Sequence, residues 1–346
     1  MSDPAGAWSL VGNLGPVVWL NALVACALLI LVLTPVFKNF AVAVPTHRSS
    51  HRAPTPQWGG LAISAAALGV TAGAIWLSGL FGAEARYGIS LVLLAALLMV
   101  ALGAVDDHYH LGAAAKLAVQ AVAIALMVGA LPEGMRALPY FPAWLEHGLL
   151  FVGALWFVNL VNFMDGIDWM MVVEVVPITV GVALIGALGA LPPEALVVAL
   201  ALNGAMLGFA PFNRPVARLF MGDMGSLPVG LLLAWLLILV AGSGHLVAAL
   251  LLPLYFVADT GATLLRRARA GERPWVAHRT HFYQRARDKG FTNMQIVGRI
   301  FLVNAGLVAL AALSVIESSA WSGVVALLIG IGLVAWLMES FVRIRP

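Results

Sequence analysis

The sequence predicts an all-α integral membrane protein, a bundle of about 11 transmembrane helices with the N-terminus outside and the C-terminus in the cytoplasm. Of its 346 residues, 62% are hydrophobic and only 10% are charged, and the mean hydropathy is +0.98. Soluble domains carry roughly 25% charged residues, so lipid must be the main solvent of this chain. The composition excludes a soluble globular enzyme, a disordered chain and a nucleic-acid-binding module. Cys26 is the only cysteine, which excludes an internal disulfide and a cysteine-based metal site.

Eleven apolar runs are long enough to cross a bilayer, which takes about 20 residues. They lack the alternation of membrane β-strands. The first run is long enough to span the membrane and lacks the basic segment that precedes the apolar part of a cleavable signal. Short connections predict one polytopic domain over residues 1–346, with a cytoplasmic basic loop at 266–295 that contributes to the active site. The predicted spans are 16–37, 58–80, 88–105, 113–131, 147–164, 170–190, 195–211, 224–242, 245–265, 296–316 and 320–341.

The basic residues predict the orientation, because Lys and Arg accumulate in cytoplasmic segments. Alternating the connections from an outer N-terminus places 17 of the 19 basic residues inside, and only Arg86 and Arg136 fall outside. The 16 acidic residues divide into ten inside and six outside, which leaves net charges of +7 and −4 on the two sides.

Polar side chains at the inner ends of the spans form five groups, and ionisable residues at membrane depth predict a functional site unless they are paired. The first group lies in the loop at 46–60, where Pro and Gly shape the chain and His47, Arg48, His51 and Arg52 suit a phosphate. A basic anchor that touches only lipid headgroups is the alternative for this loop.

The second group is Asp106 and Asp107, placed in an inner loop and followed by Lys116 and Gln120 on one helix face. Adjacent carboxylates repel each other and stay ionised together only beside a cation or a metal. A solvated loop with a lysine that extends towards the headgroups is the alternative.

The third group is Asn162, Asp165 and Asp168, whose spacing of three residues places them on one face of a helical turn. Three such oxygen donors suit a hard cation or a diphosphate-bound Mg²⁺, and Gly166 would allow a close approach. Helix capping would account for one of these residues but is a poor account of all three.

The fourth group centres on Asp223, which lies between two glycines at the start of an apolar run. This carboxylate suits contact with a ligand, although an N-cap for the following helix is also consistent. The fifth group is His278, Arg279 and His281, which suit an anion. An amphipathic basic helix on anionic lipid is the alternative, and the cationic surroundings disfavour zinc.

Together the five groups suit chemistry on a diphosphate with Mg²⁺, in which positioning and charge neutralisation provide most of the catalysis. Their order resembles the polyprenyl-phosphate N-acetylhexosamine-1-phosphate transferase family, of the glycosyltransferase family 4 type. The matching motifs are Pro-Thr-Pro-x-x-Gly-Gly at 54–60, Asp-Asp at 106–107 with Lys116 and Gln120, Asn-Phe-Met-Asp-Gly-Ile-Asp at 162–168, Asn213 ten residues before Asp223, and His-Arg-x-His at 278–281.

The resemblance implies transfer of N-acetylhexosamine-1-phosphate from a UDP-N-acetylhexosamine to undecaprenyl phosphate, which releases UMP. Mg²⁺ is the implied cofactor and Mn²⁺ its substitute. The implied metal ligands are Asp223 and Asn162. The implied catalytic residues are Asp106, Asp107, Lys116, Asp165 and Asp168, and the implied substrate-binding residues are Thr55, Asn162, Asn213, His278, Arg279 and His281. The resemblance implies a location in the bacterial inner membrane, with the active site facing the cytoplasm. A homodimer is compatible with the resemblance.

The 278–285 segment lacks the consecutive histidines of the branch that makes the peptidoglycan lipid. It is more similar to the branch that starts O-antigen and related surface polysaccharides, so the muramoyl-pentapeptide transferase is the alternative within the family. The chain departs from the family at two places. Trp169 stands where the family commonly has Gly, and Gln57-Trp58 replaces small or basic residues.

The lipid phosphate is expected to attack the donor in a single displacement, with a covalent aspartyl-phosphate intermediate as the rival. A secondary transporter is the alternative class, and a structural protein is a third. Transporter sites lie near the bilayer midplane between repeated halves, whereas these acids cluster at helix ends and the sequence shows no evident repeat.

Overall fold

The computed structural model describes residues 4–37, 42–43, 54–109, 111–273, 278–317 and 319–343. Within these ranges the chain is mainly helical and contains one short antiparallel ladder. The elements are α1 (Pro4–Phe37), β1 (Val42–Ala43), β2 (Thr55–Pro56), α2 (Gly59–Leu77), α3 (Ala83–Tyr109), α4 (Ala113–Gly129), α5 (Ala143–Met164), α6 (Met170–Ala187), α7 (Pro193–Phe209), α8 (Asp223–Gly242), α9 (Leu246–Leu251), α10 (Leu254–Arg269), α11 (Phe282–Asp288), α12 (Asn293–Ile316) and α13 (Ala320–Val342).

The predicted all-α membrane protein is confirmed. Eight helices in the described part of the chain are long and apolar enough to cross a membrane. They are α1 from Asn13 onwards, α2, α3, α5, α6, α8, α12 and α13. Each coincides with one of the predicted spans.

Three other predicted spans have a different form. The segments 113–131 and 195–211 contain α4 and α7, apolar helices of 17 residues that extend about 25 Å. The segment 245–265 is divided into α9 and α10 by a break at Leu252 and Pro253. That these three segments cross the membrane stays a prediction, and so does the side of the membrane on which each terminus lies.

A buried carboxylate from another helix lies beside the break between α9 and α10. Proline has no N–H and ends a helical hydrogen-bond ladder. Just beyond Pro253, the backbone N–H of Phe256 lies near the buried carboxylate of Glu174 on α6. Glu174 also accepts a hydrogen bond from Asn304 Nδ2 on α12 at 2.6 Å. Such a break at membrane depth is stable only where protein groups replace the missing backbone partners.

Helix α8 occupies the centre of the bundle. Nearly every residue of this helix is buried, and α3, α5, α2 and α9 pack around it. A helix that is apolar on all sides belongs in a core, which explains why its sequence shows no polar stripe. Its N-terminal residue is Asp223, so the fold places this carboxylate at one end of the central helix.

The loop before α2 connects to the start of α8. Phe220 N donates to Pro56 O at 2.8 Å, and Gly59 N donates to Phe220 O at 2.9 Å. Thr55 is buried in β2, where it pairs with Ala43 of β1. The predicted phosphate-binding residues His47, Arg48, His51 and Arg52 lie outside the described residues.

Candidate active site

Three of the five polar groups, the second, third and fourth, meet where the C-terminal ends of α3 and α5 approach the N-terminal end of α8. Glycines permit this approach. A Cβ on Gly103 of α3 would lie 2.4 Å from the carbonyl carbon of Asp223, and one on Gly60 of α2 would lie 2.1 Å from Gly225 N. Both distances are shorter than side chains tolerate, so only glycine allows these helices to pack this closely.

Asp107 caps α8 from the neighbouring helix. Its Oδ2 accepts hydrogen bonds from the backbone N–H groups of Asp223 at 3.1 Å and Met224 at 3.5 Å, and Gln57 Nε2 donates to its Oδ1 at 3.2 Å. The first N–H groups of a helix lack intrahelical partners and carry partial positive charge, so a carboxylate is stabilised there. The turn into α8 passes through Gly222 at φ +69°, a conformation that favours glycine.

Asp106 turns to different partners. It lies buried in the last turn of α3, so the predicted loop position of the Asp-Asp pair is wrong, because α3 continues to Tyr109. Its carboxylate forms an ion pair with Lys116 on α4, and its Oδ1 accepts the Leu111 N–H at 2.7 Å. One carboxylate thus meets a cation, and its neighbour meets a helix N-terminus.

Asn162 and Asp223 are bonded to each other. Asn162 Nδ2, in the last turn of α5, donates to Asp223 Oδ1 and to Ser226 Oγ, both at 2.8 Å. The Asp223 carboxyl also lies against that of Asp106. The alternative interpretation of Asp223 as an N-cap is wrong, because Asp223 is the first residue of α8 and Gly222 occupies the N-cap position.

The third group does not share one helix face. Helix α5 ends at Met164, and Asp165 follows in a non-helical conformation with φ −75° and ψ 64°. The prediction that Asn162, Asp165 and Asp168 line one helical turn is therefore wrong. The turn instead directs Asp165 towards the carboxylate cluster and allows Asp168 to reach a separate loop.

Asp165 lies among the negative charges of the carboxylate cluster. The carboxylates of Asp223, Asp107 and Asp168 all act on it. Burial first, and then these negative charges, raise the pKa of Asp165 to about 7. Lys116 is the cation paired within this cluster, so the described site holds an excess of negative charge.

Asp168 fixes the segment that leads to α8. Its Oδ2 accepts hydrogen bonds from Ala217 N and from Asn293 Nδ2, both at 3.3 Å. Asp168, a predicted catalytic residue, thus joins the loop between α7 and α8 to the first residue of α12. Its part in catalysis stays a prediction.

Asn213 and Trp169 hold the same connection. Asn213 Oδ1 accepts the Trp169 N–H at 2.8 Å, and Asn213 Nδ2 donates to Leu219 O at 3.0 Å. The Trp169 ring donates from Nε1 to Ala210 O at 2.7 Å. Trp169 has φ +65°, a left-handed conformation that explains why glycine is common in the family at this position. The implied substrate-binding role of Asn213 stays a prediction.

The fifth group lies at the N-terminal end of α11. His281 is buried, and its Nδ1 is 3.0 Å from Asp259 Oδ1 on α10. The His278 ring stacks on it with centroids 4.9 Å apart, and Arg279 pairs with Asp288 at 3.5 Å. Burial, followed by His281 and nearby arginines, lowers the pKa of His278 to about 4.

Tyr283 connects this segment to the carboxylate cluster. It is fully buried on α11, and a Cβ on Gly166 would lie 2.0 Å from its hydroxyl oxygen. The glycine next to Asp165 is thus required by the packing of Tyr283, and its predicted contact with a ligand stays a prediction. Through this contact the 278–281 segment lies beside the turn that carries Asp165.

The oxygen donors of the site form a partial set of ligands for Mg²⁺. Within the described ranges, no three His, Cys, Asp or Glu side chains are arranged to hold a metal ion. Mg²⁺, however, commonly takes one or two protein carboxylates and completes its coordination with substrate phosphates and water. Asp223, with Asn162 bonded to it and Asp106 beside it, provides such a partial site among the carboxylates of the cluster. The residues present therefore fit a cation that arrives with a diphosphate.

Sequence reasoning assigned no role to three residues that complete these contacts, Gln57, Ser226 and Asp259. Ser226 follows Asp223 by three positions, so helical spacing would have placed both on one face. Asp259 is an acid within an apolar run, which is itself a signal of a functional contact. Gln57 gives no such signal, because its partner depends on the path of the whole loop.

The fold and the site define a polytopic membrane enzyme with an acidic, lysine-containing site at the ends of its helices. The chain belongs to glycosyl transferase family 4, whose profile matches residues 89–241. That region extends from α3 to α8 and includes Asp106, Asp165 and Asp223.

Several curated proteins resemble the chain over most of its length. It is 31% identical to the decaprenyl-phosphate N-acetylglucosaminephosphotransferase of Mycobacterium tuberculosis, over 79% of this chain and 75% of that protein. It is 26% identical to the probable undecaprenyl-phosphate N-acetylglucosaminyl 1-phosphate transferase of Bacillus subtilis, over 82% and 81%. A phospho-N-acetylmuramoyl-pentapeptide-transferase of Lacticaseibacillus paracasei is 32% identical over 61% of this chain and 68% of that protein.

Proposed function

We propose that this enzyme transfers N-acetylhexosamine-1-phosphate from a UDP-N-acetylhexosamine to undecaprenyl phosphate, giving undecaprenyl-diphosphate-N-acetylhexosamine and UMP. The observation that carries the proposal is the convergence of Asp106, Asp107, Asp165 and Asp223 with Lys116 at one end of α8. The relatives named for transfer of N-acetylglucosamine phosphate to a polyprenyl phosphate support this substrate class.

The reaction is a single displacement at phosphorus. An oxygen of the lipid phosphate forms a bond to the β-phosphorus of the donor, while the bond from that phosphorus to the α–β bridging oxygen breaks and UMP leaves. A phosphate monoester is already mostly ionised near pH 7, since its second pKa is about 6, so no strong base is needed. Asp106 and Asp107 then act mainly by positioning, and Lys116 offsets the charge of the incoming phosphate.

Mg²⁺ is the proposed cofactor, with Mn²⁺ as its substitute. Asp223 and Asn162 would hold it together with the donor diphosphate. When bound, the metal neutralises charge on the diphosphate and on the departing UMP. Asp165, whose pKa is raised beside the other carboxylates, marks the same excess of negative charge.

N-acetylglucosamine is the donor sugar to test first, because the relatives that cover most of the chain carry it in their names. The 278–285 segment favours initiation of O-antigen or a related surface polysaccharide. The alternative is the muramoyl-pentapeptide donor, which the similarity to the Lacticaseibacillus protein keeps open.

The proposed site faces the cytoplasm of a bacterial inner membrane. The segments assigned to the cytoplasmic side by their basic residues supply Asp107, Asp165 and Asp223, which interact at one end of the bundle. The proposed topology has 11 spans with the N-terminus outside. A homodimer is compatible with this arrangement.

The proposal is tested by UMP release from purified enzyme in detergent, with undecaprenyl or decaprenyl phosphate and a panel of UDP-N-acetylhexosamines. We expect release only when donor, lipid and Mg²⁺ or Mn²⁺ are all present, with loss on EDTA treatment and recovery on adding metal. Asp223→Asn should lower turnover roughly 100-fold or more, the usual effect of removing one charge-stabilising group. Glu133→Gln, an exposed acid of the predicted outer face, is the matched control and should behave like the unmodified enzyme.

Three results would contradict parts of this proposal. Full metal-dependent turnover of Asp223→Asn would exclude it as a metal ligand. A phosphorylated Asp107 trapped after incubation with donor alone would replace single displacement by a covalent mechanism. Substrate uptake by proteoliposomes without UMP release would favour a transporter.

A further inference from the structure

Asp259 makes an unusually complete set of hydrogen bonds. It lies on α10 with no exposed surface. Its Oδ1 is bonded to His281 Nδ1 and Phe282 N, both at 3.0 Å, and its Oδ2 to Tyr255 OH at 3.1 Å and Tyr283 N at 3.2 Å. A buried carboxylate needs such partners, and here two of them are the first N–H groups of α11.

This arrangement determines which nitrogen of His281 is available. An ionised carboxylate only accepts hydrogen bonds, so the nitrogen that faces Asp259 must carry the proton. That nitrogen is Nδ1, which leaves Nε2 as the ring atom that can meet a ligand. Because Asp259 also caps α11, it fixes both the histidine ring and the helix behind it.

His281 is connected to the site by its ring contacts. Its ring stacks against those of His278, at 4.9 Å, and Tyr283, at 5.8 Å, both inclined by 25°. Tyr283 in turn contacts Gly166, next to Asp165. The depressed pKa of His278 keeps that ring neutral near pH 7, so a positive charge on His281 would not face a second imidazolium.

We propose that Asp259 is a positioning residue of the transferase, holding His281 so that Nε2–H donates to an anionic oxygen of the nucleotide-sugar diphosphate. The negative charge of Asp259 balances the imidazolium that this contact requires, as buried carboxylates do for other orienting histidines. The inference rests on the proposed function, because it uses the nucleotide-sugar as the ligand of His281.

The first experiment is a double-mutant cycle on steady-state UMP release. Asp259→Asn should raise KM for UDP-N-acetylglucosamine roughly tenfold or more, while KM for the lipid changes little. In the His281→Ala background the same substitution should add little, since a residue that acts through another gives non-additive losses. Thr263→Val, which removes a 3.4 Å bond to the same Oδ1 and leaves His281 in place, is the matched control.

The cycle would overturn the proposal if the two losses were additive, or if Asp259→Asn lowered kcat only in proportion to the amount of folded enzyme. An unmodified enzyme that releases no UMP would instead refute the proposed function. The second experiment needs no variant at position 259. In ¹⁵N-histidine-labelled enzyme, assigned with His281→Asn, the Nδ1 of His281 should be protonated without ligand, and Nε2 should be protonated when UMP or the donor is bound. An unprotonated Nδ1 would overturn the proposal even if Asp259→Asn failed to fold.

Discussion

Trp169 combines an unfavourable backbone conformation with favourable side-chain contacts. A left-handed residue other than glycine costs about 1–2 kcal/mol, and Trp169 has φ +65°. Its ring N–H bond to Ala210 O contributes about 1 kcal/mol, and the burial of part of the ring contributes up to about 1.5–3 kcal/mol more. The side chain therefore outweighs the strain. We predict that Trp169→Gly lowers the thermal unfolding temperature in detergent, despite restoring the residue that the family commonly has.

The control for this prediction is Trp169→Phe, which keeps the backbone strain and most of the ring but loses the N–H donor. It should be destabilised by about 1 kcal/mol, the value of one hydrogen bond. A Trp169→Gly enzyme that unfolds at a higher temperature than the unmodified one would show that strain dominates. Asn213 keeps its bond to the Trp169 backbone N–H in both variants, so the comparison isolates the side chain.

The identity of the polar residues at the site could be predicted from the sequence, but their partners could not. Asp106, Asp107, Asn162 and Asp223 were singled out because ionisable or amide groups at membrane helix ends are costly without a purpose. The partner of Asp107 is the backbone of a residue 116 positions away, which no local pattern encodes. The same holds for Asp168, whose neighbours depend on where two distant loops meet.

At the scale of helices, the contact between α3 and α8 determines the geometry of the site. A Cβ on Gly103 would lie 2.4 Å from Asp223 C and O and from Met224 N, which are backbone atoms that cannot rotate away. We predict that Gly103→Ala displaces the start of α8 and disrupts the capping bonds from Asp107. Displacements of about 1 Å can lower turnover about 100-fold, so the assay is UMP release at saturating substrates.

The matched control is Gly153→Ala on α5. Its Cβ would meet no atom within 4 Å, and alanine is favoured over glycine in a helix interior by up to about 1 kcal/mol. This variant should keep full turnover and equal or greater thermal stability. Equal activity in Gly103→Ala and Gly153→Ala would show that the close packing of α3 on α8 is not needed for the site.

The existence of the helices was predictable from apolar runs, but their ends and one interruption were not. Helix α3 continues through Asp106 and Asp107 because its last turn is held by protein partners on α4 and α8. The run at 245–265 breaks at Pro253, which has no N–H to continue the helical ladder. Proline is tolerated within membrane helices where neighbouring helices compensate, so the run alone does not show whether Pro253 interrupts it. The end of α3 depends on tertiary contacts that override local propensity.

The whole molecule has two chemically different ends, separated by the length of α8, which is about 30 Å for 20 residues. The carboxylate site surrounds its first residue. Near the other end, Trp235 and Leu239 of α8 line a cavity with Glu84, Glu133 and Glu194. The segments that carry these three glutamates were assigned to the outer side by charge alone, so the charge asymmetry of the sequence corresponds to a real division of the fold.

This division leads to a prediction about topology that can be tested by labelling single cysteines in a Cys26→Ala background. Cys26 has no exposed surface, so its removal leaves no competing site. In spheroplasts, Tyr140→Cys and Leu188→Cys, at positions 92% and 54% exposed, should react with a membrane-impermeant maleimide. Arg214→Cys and Lys289→Cys, also at exposed positions, should react only after permeabilisation, because basic segments stay in the cytoplasm.

Positions 188 and 214 flank α7, so labelling of both from one side would show that this 17-residue helix does not cross the membrane. Reversal of all four results would place the active site outside, where no nucleotide-sugar is supplied.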